Sequence, residues 1–264
     1  MNLELHNKVI FITGGARGIG AAITQACARE GALAVIFDRD KEAASALQLE
    51  LSKEGLRSEA VVIDLTNSSL LQTTIENLSA KLGRIDGLVN NAGTNDGVGL
   101  QNGSPERFRS SVQENLVHYF TMAHAALPML KKAGGSIVNI ASKVAVTGQG
   151  GTSGYAAAKA AILGLTIEWA VELDPFGIRV NAVVPAEVLT PQYEDWVKGF
   201  PNSEQVLRDI VSSIPLGERF TEADEIASTV LFLLSPKAVG INGRHLFVDG
   251  GYVHLDRRLT KAAH

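Results

Sequence analysis

One cysteine, Cys27, is all that the 264 residues contain, which excludes an intramolecular disulfide and any metal site built on several thiolates. Set among alanines in a helical pattern, that thiol reads as a small buried apolar group. Charge of neither sign dominates: 24 basic side chains stand against 28 acidic ones, for a formal net charge of −4. The electrostatic footprint of a nucleic-acid or anionic-membrane binder is therefore missing. No apolar run approaches the length of a membrane span, and the start, Met1 to Lys8, has neither the basic stretch nor the apolar core of a signal peptide. The cytoplasm is the expected location. No Pro/Ser-rich linker, low-complexity tract or internal repeat divides the chain, so residues 1–264 read as one domain.

What is present is a regular alternation. Short valine- and isoleucine-rich runs recur at Val9 to Ile12, Leu33 to Phe37, Ala60 to Ile63, Gly87 to Val89, Ser136 to Ile140, Arg179 to Val184 and His245 to Val248. Longer stretches of helical periodicity separate most of them: Ile19 to Arg29, Lys41 to Lys53, Leu70 to Leu82, Phe108 to Lys131, Gly154 to Leu173 and Ala223 to Leu234. Continuous hydrophobicity in the strands implies that both sheet faces are covered. The expected fold is α/β, a doubly wound, Rossmann-type parallel sheet of seven strands. One segment breaks the rhythm, from Pro185 to Gly217, where four prolines enclose Tyr193, Trp196 and Phe200. An insertion of this size late in an α/β fold reads as a substrate loop or lid.

After the first strand, Thr13-Gly14-Gly15-Ala16-Arg17-Gly18-Ile19-Gly20 opens directly into a helix. Such glycines let backbone amides and a helix N-terminus approach a pyrophosphate. Asp38 ends the second strand, where a carboxylate accepts bonds from an adenosine ribose and repels a 2′-phosphate. The expected cofactor is NAD, with NADP the alternative because Arg17 and Arg39 are near enough in sequence to neutralise a phosphate. Asp64, followed by Leu65, suits either an adenine contact or a helix N-cap. Asn90-Asn91-Ala92-Gly93 follows the fourth strand, where strand ends line the ligand crevice.

Tyr155 and Lys159 are four residues apart in a helical pattern and share a face. An ammonium beside a phenol favours the phenolate. Bringing a tyrosine from about 10 to about 7 takes roughly 4 kcal/mol. Ser142, at the end of the fifth strand, is placed to bond a substrate oxygen.

With these pieces in order, the chain resembles the short-chain dehydrogenase/reductase family along nearly its whole length, through Thr13 to Gly20, Asp64, Asn90 to Gly93, Asn115, Ser142, Tyr155, Lys159, Asn181, Pro185 and Val248-Asp249-Gly250-Gly251. The resemblance implies that Tyr155 is the general acid/base and Lys159 its tuner and a nicotinamide-ribose contact. Ser142 would orient the substrate, and Asn115 would hold a water in the proton relay. Pro185 and Val188 would lie against the cofactor. It also implies strand order 3-2-1-4-5-6-7 and a homotetramer formed through the helices that carry Asn115 and Tyr155. Ala186 departs from the family pattern, which has glycine after the proline.

At finer grain, loops around Asn90 to Asp96, Ser142 to Gly150, Pro185 to Pro191 and Gly251 to Arg257 look like the bacterial L-fucose dehydrogenase branch. Asn95, Asp96, Thr147, Gln149 and Glu187 supply donors and acceptors near the expected strand ends, which suits a hydroxyl-rich ligand, with Trp196 on the lid. The expected reaction is NAD-linked oxidation of an aldose hydroxyl. Reduction of a ketone or 3-oxoacyl thioester is the alternative, and a non-catalytic nucleotide sensor is disfavoured by the presence of Ser142, Tyr155 and Lys159.

Overall fold

Residues 2–255 are described by the computed structural model; Asp256 and Arg257, which carry part of the finer resemblance, lie outside them. The chain runs β1 (Val9–Thr13), α1 (Gly18–Arg29), β2 (Leu33–Asp38), α2 (Lys41–Lys53), β3 (Ser58–Val62), α3 (Ser68–Leu82), β4 (Gly87–Asn90) and α4 (Pro105–Val112). A π-helical turn (Gln113–Val117) leads into α5 (His118–Ala133), β5 (Ser136–Ile140), α6 (Val144–Thr147), α7 (Ser153–Leu173), β6 (Arg179–Pro185), α8 (Pro191–Lys198), α9 (Ser203–Ser212), α10 (Ala223–Leu234) and β7 (His245–Val248). All seven strands form one sheet in the order β3-β2-β1-β4-β5-β6-β7, and every pairing is parallel.

Alternation within the strands decides which layer each side chain joins. Phe11, Leu88, Ile137 and Val180 face α3, α5 and α7 in one core, whereas Ile10, Ile12, Val89, Val138 and Val183 face α1 and α10 in the other. Full burial of such a side chain contributes about 1.5–3 kcal/mol, so both faces of the central strands hold the molecule together. The doubly wound sheet is thus the one its apolar runs predict. Strand order reverses between β1 and β4, and a crevice opens there at the C-terminal strand ends.

Several boundaries differ from the sequence reading, each for a local reason. Helix α3 begins at Ser68 because the Asn67 side chain accepts a bond from the Leu70 amide at 3.2 Å. The single helix expected over Phe108 to Lys131 is two helices joined by the π-turn, and it starts earlier, where Ser104 caps and Pro105 occupies the first turn. Ala186 takes no left-handed backbone, so the loop after β6 needs no glycine there. Cys27 is fully buried, and burial pushes its thiol up to about 12. Among the described residues no helix is long and apolar enough to cross a membrane.

Candidate active site

The Gly-rich turn is shaped by close approach. A Cβ at Gly20 would meet the Gly14 carbonyl oxygen at 1.9 Å, and Gly14 and Gly18 have φ of +60° and +51°. No side chain caps the start of α1, and its first turn holds no acidic residue, which leaves the positive end of the helix facing an incoming anion. Asn91 fastens β4 to this turn: its Nδ2 donates to the Thr13 and Gly14 carbonyls at 3.0 and 3.1 Å, while the Asn91 and Ala92 amides donate to Thr13 Oγ1. Gly93 is small for a comparable reason, since a Cβ would reach 2.9 Å from Asn115 Oδ1 and 3.4 Å from Lys159 Nζ.

From this turn a cavity of about 970 Å³ runs over the strand ends to α8. Every expected cofactor residue lines it: Gly14, Arg17, Gly18, Ile19, Gly20, Asp38, Arg39, Asp64, Leu65, Asn91, Ala92, Gly93, Tyr155, Lys159, Pro185 and Val188. Asp38 receives the Ala16 and Asp40 amides on its two oxygens at 3.1 and 3.0 Å. Arg17 bonds Asp40 at 2.9 and 2.5 Å, so part of its charge is already met. Asp64 is not a helix cap. Its Oδ1 accepts from the Thr66 amide and hydroxyl at 2.9 and 2.8 Å, which holds the carboxyl below its ordinary range. A glycine cradle beside an uncapped helix start, with an acid at the end of β2, fits a dinucleotide.

Ser142, Tyr155 and Lys159 meet in the middle of the cavity. Lys159 is buried, and its Nζ donates to the Ile140 carbonyl at 2.8 Å and the Tyr119 hydroxyl at 3.1 Å. That places it 5.6 Å from the Tyr155 ring centre. Burial lowers the Lys159 amine to about 7 and pushes the Tyr155 phenol up to about 12, the Ser142 hydroxyl pulling the phenol the other way. In the protein alone burial raises the Tyr155 phenol; the lowering expected from the sequence calls on the positive nicotinamide ring as well as on Lys159.

Further corrections concern the outer residues. Asn115 is fully buried and does not line the cavity; its amide accepts from the Thr94 N–H at 2.8 Å and donates to the Ser111 carbonyl at 2.9 Å. It fastens the loop after β4 to the π-turn, so its side-chain amide is taken up by protein partners and a water held at Asn115 would fall to its backbone. Asp96 also stays outside, its carboxylate accepting from the Val98 amide at 3.3 Å, and Thr147 bonds the Lys143 carbonyl. Asn95, Gln149, Glu187 and Trp196 do line the cavity. Glu187, however, is only 7% exposed; Lys143 is ion-paired to its Oε1 and Tyr193 donates to its Oε2 at 2.7 Å. The carboxylate expected to be open to substrate already has protein partners. Lys143, His118, Tyr193 and Tyr252 also line the cavity, though the sequence reading assigns none of them a site role. Lys143, Tyr193 and Tyr252 lie in segments that read as substrate loops, whereas His118 carries no signal.

Comparison with known proteins agrees with this geometry. Residues 14–253 match the family model described as "Enoyl-(Acyl carrier protein) reductase". The chain is 37% identical to 3-oxoacyl-(acyl-carrier-protein) reductase FabG of Thermotoga maritima, over 95% of this chain and all of that one. It is 32% identical to L-fucose dehydrogenase of Bos taurus, over 95% of this chain and 91% of the other. The crystal structure of Cj0485 dehydrogenase superposes with a TM-score of 0.92 at 48% identity, covering 98% of this chain and 99% of that one. Similarity of this extent, on a chain whose glycine cradle, serine, tyrosine and lysine meet in one crevice, makes the protein a member of the short-chain dehydrogenase/reductase family of NAD(P)-dependent oxidoreductases acting on CH–OH groups.

Proposed function

We propose that this enzyme oxidises a hydroxyl of an aldose, six-carbon or 6-deoxy and L-fucose-like, with NAD as the preferred acceptor. The observation that carries the reading is the polar wall beside Ser142 and Tyr155, where Asn95, Gln149, Gln192, Tyr193 and the buried Lys143–Glu187 pair line one cavity. A hydroxyl-rich ligand satisfies such groups, and an apolar chain leaves them unpaired. The bovine relative, an L-fucose dehydrogenase, supports the same reading.

In this proposal Ser142 orients the reacting oxygen and Tyr155 takes the hydroxyl proton as general base. Lys159 sets its amine beside that centre, and Tyr119 and the Ile140 carbonyl fix its position. Bound nicotinamide supplies the hydride acceptor. Gly14 to Gly20 and the start of α1 would receive the pyrophosphate, while Asp38 would receive the ribose and disfavour a 2′-phosphate. The Pro185 to Gly217 segment would close over the sugar, with α8 bringing Tyr193 and Trp196. A cytoplasmic homotetramer completes the proposal: a nicotinamide co-substrate calls for an intracellular enzyme, and Phe120 on α5 with Ile167 and Val171 on α7 are apolar and half or more exposed.

The Thermotoga relative, a 3-oxoacyl thioester reductase, motivates a second reading with the same catalytic groups. One assay separates them. Purified protein is offered aldoses, secondary alcohols and 3-oxoacyl thioesters with NAD and NADP, or their reduced forms, while absorbance of the reduced cofactor is followed. Turnover of an aldose with NAD supports the proposal. Turnover of the thioesters alone overturns it.

A further inference from the structure

The ion pair in the cavity wall draws its parts from four places in the chain. Lys143 follows Ser142 at the end of β5, Glu187 lies past the end of β6, Tyr193 is on α8, and Tyr252 follows β7. The Lys143 backbone is fixed: its amide donates to the Pro185 carbonyl at 2.9 Å, and its carbonyl accepts from the Thr147 hydroxyl at 3.1 Å. Its side chain is fixed too, by Glu187 Oε1 on one side and the Tyr252 ring, 4.0 Å from Nζ, on another. An ammonium has three N–H donors and a carboxylate about four acceptor sites. After Glu187 and the Tyr252 ring are counted, Lys143 keeps a donor, and Glu187 keeps lone pairs beyond those given to Lys143 and Tyr193. Both residues line the cavity that Ser142 and Tyr155 share.

A buried lysine whose charge is already balanced is poorly suited to select an anion. A donor and an acceptor held side by side match a neutral pair of adjacent hydroxyls, one accepting from Lys143 while its neighbour donates to Glu187. We propose that Lys143 is a specificity-determining residue which, with Glu187, reads a vicinal diol of the substrate. This rests on the polyol reading given above and narrows it to neutral sugars, setting aside sugar acids and sugar phosphates. Tyr193 positions the acceptor; burial beside the Glu187 carboxylate pushes its phenol well above the ordinary value and keeps it a donor.

The test compares kcat/KM for the preferred aldose with that for its monodeoxy analogues, each lacking one hydroxyl, in wild type and in Lys143→Met. Because a lone carboxylate left buried can prevent folding, the double variant Lys143→Met/Glu187→Leu is measured alongside it. A charge-assisted bond corresponds to roughly 10- to 100-fold in kcat/KM. Lys143→Met is expected to lose that factor on the parent aldose and less than about threefold on the analogue that lacks the hydroxyl bound by Lys143; the double variant, which also lacks the Glu187 acceptor, is expected to lose at least that factor on the parent and less on the two analogues that each lack one hydroxyl of the diol. Equal losses on the parent and on every analogue would mean a structural role and overturn the inference, as would full activity on the parent. A wild-type enzyme that oxidises no polyol overturns the underlying reading instead, and is recognised before any variant is made.

Discussion

Lys159 illustrates a side chain retained at a cost to stability. Its folded value of about 7 lies below the ordinary 10.5, so between those pH values the unfolded chain holds a proton that the folded chain lacks. Stability therefore rises with pH across that window, and below about 7 the whole penalty applies. The direction of that displacement means that desolvation of the ammonium outweighs what its two hydrogen bonds return to the charged form. Lys159→Met should thus melt higher than wild type near pH 6, with the advantage gone near pH 10, while turnover is lost. Thermal melts at both pH values check this; a variant that melts lower at pH 6 contradicts it. Tyr155→Phe removes the proton acceptor and leaves the glycine cradle intact, so turnover should vanish while NAD affinity, by titration calorimetry, stays within about threefold. Asp38→Ala removes a carboxylate that both orders the Ala16 turn and opposes a 2′-phosphate. The ratio of kcat/KM for NADP to that for NAD should rise by about tenfold or more.

Where elements meet, the decisive contact is between the β1 turn and α1. Gly20→Ala would drive a methyl into the Gly14 carbonyl, and α1 would have to shift away from the strand. Dinucleotide affinity should fall by more than about tenfold and the melting temperature should drop, since overpacking costs about 1–3 kcal/mol. Unchanged binding would remove this turn from the cofactor site. This motif was readable from sequence because it is local, as were the strands, whose apolar runs declare burial on both faces. The π-turn was not. Phe108 to Lys131 keeps helical periodicity with neither glycine nor proline near Gln113 to mark the extra residue, and Asn115 shows its purpose only when Thr94 lies against it. The Lys143–Glu187 pair was hidden for a related reason: its members are 44 residues apart and meet only because β5 and β6 are adjacent strands. Helical spacing also reports the face that Tyr155 and Lys159 share and says nothing of Tyr119, whose hydroxyl accepts from the same amine.

For the molecule as a whole, the apolar residues left on α5 and α7 bear on assembly. Phe120 stacks on His124 and packs near Trp169, and Val171 is 72% exposed. If these helices join protomers, Phe120→Glu together with Val171→Asp should move the sedimenting species from tetramer towards smaller forms; a wild-type monomer would refute the tetramer directly. The sheet order has a different consequence, for how the protein is made. The cavity is walled by residues from Gly14 to Tyr252, and β7 pairs with β6. A ribosome that has delivered Ser142, Tyr155 and Lys159 has not yet delivered the edge strand or the Tyr252 ring that borders Lys143. Every catalytic side chain therefore emerges before the wall is complete, and a nascent chain halted before β7 would carry all of them while lacking Tyr252 and the strand that backs β6.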